Sequence, residues 1–75
     1  MLDNYLHIDG EHLGKAFRDA REAQGISRER LAKKADLHYN TIGMLERGEA
    51  RGSVFVYLSV AKALGYDGIV FEVKK

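Results

Sequence analysis

Tyr39, Asn40, Gly43, Met44 and Arg47 share one flank of a short helical stretch, and no core needs any of them. A helix turning every 3.6 residues brings these positions to one side. Chemically they are a phenol, a carboxamide that both donates and accepts, a bare backbone position, a thioether and a guanidinium. Together they form a short readout surface, able to bind and discriminate but carrying no group that makes or breaks bonds. The remaining reactive side chains offer no competing chemistry. His7, His12 and His38 share no metal-ligand spacing, and no Ser/His/acid or paired-carboxylate constellation stands out. Glycines are scattered at helix ends and build no phosphate loop. With no cysteine there is neither a disulfide framework nor a thiolate metal site. The expectation is a non-enzymatic protein with no metal and no cofactor.

The element that must present this surface lies in the stretch from Ser27 to Gly48, SRERLAKKADLHYNTIGMLERG. Ser27 is a good N-cap, and Leu31, Ala32 and Ala35 follow as the apolar side of a first helix. Asp36 sits where the chain must reverse, in a residue type that tolerates left-handed backbone angles. Leu37 points back inward. A second helix from about His38 to Arg47 buries Ile42 and Leu45, and Gly48 stops it.

The segments ISRERLAKKADLH, Thr41-Ile42 and LERG resemble the helix-turn-helix of lambda-repressor-like (Cro/Xre-type) DNA-binding domains. With the flanking helices, the resemblance runs over roughly Leu13 to Leu64. Three positions depart from the family habit: Arg28 stands for the usual Gln, Asp36 for the turn Gly, and His38 for a Ser or Thr cap. The resemblance implies sequence-specific binding of double-stranded DNA by a homodimeric transcription regulator, with repressor as the first reading. It implies DNA contacts from Arg28, His38, Tyr39, Asn40, Thr41, Gly43, Met44, Arg47 and Arg51. Of these, Tyr39, Asn40, Gly43 and Met44 would face base edges, while Arg28 and Arg47 would reach phosphates, with guanine as the alternative for Arg47. Arg51, in the loop after the motif, is equally readable as a solvated side chain. The resemblance further implies a partly buried salt bridge between Arg21 and Glu46; two independent surface charges are the alternative.

Composition agrees with this reading. The chain is long enough for one domain spanning 1–75, and 45% hydrophobic with 31% charged residues places it among folded soluble proteins rather than disordered ones. The net charge of +1 is a weak argument for nucleic acid, so its distribution matters more. Residues 1–14 carry three acidic groups and no Lys or Arg, whereas residues 15–51 carry nine basic against six acidic. The longest apolar run, Val54 to Leu58, is too short for a signal sequence or membrane span, which makes the cytoplasm the expected location.

Outside the motif, the predicted first long helix runs from about Glu11 to Gln24, capped by Asp9 and stopped by Gly25. Leu13, Ala16, Phe17, Ala20 and Ala23 form its inward stripe. Gly14 is tolerable there if another backbone passes close by. Ser53 and Gly65 bracket a last helix, with Val54, Leu58, Ala61 and Leu64 toward the core. Phe55, Tyr57 and Val60 then fall on other faces, and a helix apolar nearly all round is usually covered on more than one side. IVFEVKK alternates as a strand over residues 69–74 and needs a partner. Two partners are open: the N-terminal Tyr5–Ile8, or the same strand of a second chain as in HipB-type antitoxins. The favoured dimer interface is Phe55, Tyr57, Val60, Ile69, Val70, Phe71 and Val73. The expected fold is mainly α, a compact four-helix helix-turn-helix domain with a short C-terminal strand. The rival function is an antitoxin-type module that holds a toxin and regulates its own operon.

Overall fold

Each helix of this chain ends by the same local rule, and that rule spaces the elements. A computed structural model describes residues 4–49 and 54–72, so Arg51, Ser53 and Val73 lie outside the described residues. The element order is β1 (Tyr5–Asp9), α1 (Leu13–Ala23), α2 (Arg28–Ala35), α3 (Tyr39–Glu46), α4 (Val54–Ala63) and β2 (Gly68–Glu72). After each helix one residue adopts positive φ: Gly25, Asp36, Gly48 and Gly65. The next amide then reaches back to the last turn: Ile26 N–H to Arg21 O, Leu37 to Ala32, Glu49 to Met44 and Tyr66 to Ala61, at 2.8–3.3 Å. This closure satisfies orphan carbonyls and turns the chain abruptly. It also throws Ile26, Leu37 and Tyr66 back against the core.

The core comes from β1 and all four helices, with Ile69 of β2 packed against it. Ile8, Phe17, Leu31, Ile42, Leu45 and Val60 are its largest fully buried side chains. α1 begins at Leu13, later than the predicted Glu11, because Asp9 is still the last residue of β1. Asp9 Oδ1 accepts the Glu11 amide at 2.9 Å in the connecting turn, while His12 holds the cap position without a side-chain cap bond. Ala23, placed on the inward stripe from sequence, is exposed.

α4 corrects the predicted stripe. Tyr57, Val60, Ala61 and Leu64 are buried, whereas Val54 is 57% exposed and Leu58 only half-buried. Both stripes obey helical spacing, and the aromatic packing selects between them. The Tyr57 ring stacks on Phe17 at 5.7 Å and meets the edge of Phe71 at 6.1 Å. Tyr57 and Val60, assigned from sequence to a dimer interface, are therefore covered within the chain.

The strand partner is also internal. β2 pairs in parallel with β1, in the register Tyr5↔Gly68 through Asp9↔Glu72. This corrects the favoured pairing across a dimer and adopts the other candidate, the N-terminal segment. The Asp67 amide to Asn4 O (2.8 Å) and the Gly10 amide to Glu72 O (3.0 Å) extend the pairing at either end. Leu6 and Ile8 pass from this sheet into the core.

Candidate nucleic-acid interface

The interface is built on α2 and α3. Ser27 Oγ accepts the Arg30 amide at 3.1 Å and fixes the start of α2. Asp36, at φ 56°, makes the left-handed turn, and Leu37 anchors the connection. His38 enters α3 with extended backbone and no side-chain cap bond. α3 then divides into two sides. Ile42 and Leu45 are buried, while Tyr39 (50%), Met44 (42%), Asn40 and Arg47 face solvent. His38 is exposed and Thr41 half-buried. Arg28 joins Tyr39, Asn40, Gly43, Met44 and Arg47 around one shallow surface depression.

Gly43 is buried, and its cover is Arg47: a Cβ on Gly43 would lie 3.1 Å from Arg47 Nη1. The same guanidinium donates to Glu49 through Nε at 2.9 Å and Nη2 at 3.4 Å, both side chains being over half exposed. Close approach to Gly43 therefore requires Arg47 to swing away.

Beneath this surface sits a buried carboxylate. Glu46, with its side chain 1% exposed, accepts Arg21 Nε at 2.7 Å on Oε2 and Arg21 Nη2 at 3.1 Å on Oε1. Arg21 Nη1 also donates to Ile26 O at 2.9 Å, tying α1, the α1–α2 turn and the end of α3 together. Arg28 Nε reaches the same Glu46 Oε1 at 3.1 Å. From sequence Arg28 is expected at a phosphate, and nothing there signals this third member of the Glu46 cluster. The Glu46 hydrogen bond and charge, with a smaller contribution from Tyr39, raise the Arg28 guanidinium above its ordinary value.

Elsewhere, Asp9, Glu11 and His12 bring donor atoms within 4.8 Å of one another, a grouping that the histidine spacing did not reveal. Asp9 Oδ2 and His12 Nδ1 are 3.3 Å apart. Among the described residues, no helix is long and apolar enough to cross a membrane.

The helix-turn-helix family profile matches residues 17–71. Among solved structures, the chain is similar to the restriction-modification controller protein C.AhdI from Aeromonas hydrophila. The two share 34% identity with a TM-score of 0.71, over 75% of this chain and 85% of that one. No curated protein matches. The chain belongs to the helix-turn-helix family of the Cro/C1 type, a family of DNA-binding transcription regulators.

Proposed function

We propose that the protein is a homodimeric repressor that reads a pseudo-palindromic operator with α3. The observation that carries this reading is the division of α3, buried through Ile42 and Leu45 yet presenting Tyr39, Asn40 and Met44 outward. A two-fold dimer offers its recognition helices to successive major grooves about 34 Å apart. Asn40 pairs with an adenine edge, Met44 packs on a thymine methyl, and Arg28 and Arg47 meet phosphates. His38, Tyr39 and Thr41 complete the contact surface at the start of α3, with Arg51 on the flanking backbone. Phe55, 80% exposed on α4, supports a dimer contact, together with the outer parts of Ile69, Val70 and Phe71.

The similar controller protein supports a role in switching transcription. The antitoxin alternative drew on a strand pairing between subunits, and β2 has its partner within the chain. Selection of bound duplexes from a random-sequence pool, with mass measurement of the complex, tests the proposal. The expected result is an enriched two-fold-symmetric sequence carrying two chains. A pool without enrichment, or a single chain on an asymmetric site, would refute it.

A further inference from the structure

The Arg28–Glu46 contact is more than a second tie between helices. A guanidinium is planar, with five donors in a fixed fork, so engaging Nε on one side leaves the Nη1/Nη2 edge directed away. Arg28 makes its Glu46 contact through Nε, its side chain is 38% exposed, and it borders the depression shared with Tyr39 and Asn40. Charge counting points the same way. Among the described residues, Arg18, Arg21 and Arg28 have Glu22 and Glu46 as their only acidic partners within 4 Å, three cations against two anions. Arg21 already takes both Glu46 oxygens. One positive charge is left over, and Arg28 is the more exposed of the two arginines on Glu46, at 38% against 11%.

We propose that Glu46 is a positioning residue that holds Arg28 by Nε and aims its Nη edge at a DNA phosphate beside the start of α3. Arg28 stays on Glu46 in the complex and does not have to exchange one anion for the other. The phosphate thus meets a donor pair whose orientation is already fixed, which reduces the ordering cost of the contact. Arginine is the side chain that suits both contacts: a carboxamide has no charge to offer a phosphate, and a lysine ammonium cannot present a planar fork to two anions at once. The inference rests on the DNA-binding reading of α3.

The decisive comparison uses the full chain and the duplex enriched from the random pool, with wild type, Arg28→Lys and Arg28→Ala titrated at several salt concentrations. Arg28→Lys is expected to bind about tenfold or more weakly, because its ammonium stays on the carboxylate. It should resemble Arg28→Ala in lowering the salt slope by about one. In the wild type, the Arg28 Nε–H resonance should remain hydrogen-bonded and protected in both the free and bound states, while the Nη signals become resolved only with DNA. Arg28→Lys matching wild type in affinity and slope would overturn the inference, as would loss of the protected Nε–H signal on binding. Both outcomes would leave DNA reading by α3 intact. A wild-type chain that enriches no duplex removes that reading, and this inference with it.

Discussion

Gly14 and Glu46 stand so close that a Cβ on Gly14 would collide with the Glu46 carbonyl. α1 therefore crosses the end of α3 backbone against side-chain-free backbone. Glycine costs about 1 kcal/mol relative to alanine in an ordinary helix interior, so Gly14→Ala would normally be stabilising. Here the sign reverses. Urea denaturation of Gly14→Ala is expected to show a loss of about 1–3 kcal/mol, since the obstacle is backbone that cannot rotate aside.

Glu46→Ala removes the one acid shared by Arg21 and Arg28 and leaves Arg21 with its side chain only 11% exposed. Stranding a charge that deep costs about 3–5 kcal/mol, and thermal unfolding should register most of it. Replacing Glu49, over half exposed and paired only with exposed Arg47 among the contacts described, should change stability by no more than about 0.5 kcal/mol.

Two substitutions on the reading side separate base discrimination from backbone attraction. Asn40→Ala should relax preference at one base pair by about 1–3 kcal/mol and leave the salt slope alone. Arg28→Ala should weaken every sequence alike and lower the slope by about one. Competition titrations over several salt concentrations would distinguish them, and equal behaviour of the two variants would contradict the assignment.

On α4, Phe55 and Val60 should behave as opposites. Phe55→Glu alters a ring that is 80% exposed, and is expected to lower the mass in solution from dimer to monomer while the unfolding midpoint holds. Val60→Ala empties part of a fully buried site and should cost about 1–3 kcal/mol with no change of assembly.

Asp36 adopts φ 56°, a conformation that costs a residue with a Cβ about 1–2 kcal/mol. Asp36→Gly relieves it, partly offset by the greater freedom of the unfolded chain. A gain of up to about 1 kcal/mol is expected by chemical denaturation, and Asp36→Val should lose stability at the same position.

The motif was legible because its determinants are local. Ser27, Asp36 and Gly48 each declare a helix boundary through bonds to residues three to five positions away. The Gly14 close approach was also anticipated, because a glycine inside a helix demands a reason. Legibility failed where one segment satisfies two answers. α4 carries apolar residues on nearly every side, so the choice between Leu58 and Val60 as inward positions depended on Phe17, some forty residues earlier. Strand β2 had two admissible partners, and only its register against Tyr5–Asp9 decides between them. Arg28 reads as a surface cation until Glu46, eighteen positions on, is brought beneath it.

The parallel clasp between β1 and β2 has a kinetic corollary. Its register joins Tyr5 to Gly68, so the loop it closes holds about sixty residues, and the entropy of that closure grows to roughly 4 kcal/mol beyond a constant. Such a pairing forms late, after the short-range helices have condensed. Yet Ile8, fully buried on β1, belongs to the same core cluster as Ile42 of α3. A chain ending before Gly68 would carry every helix and still lack the strand that pairs with β1 and holds it against α1.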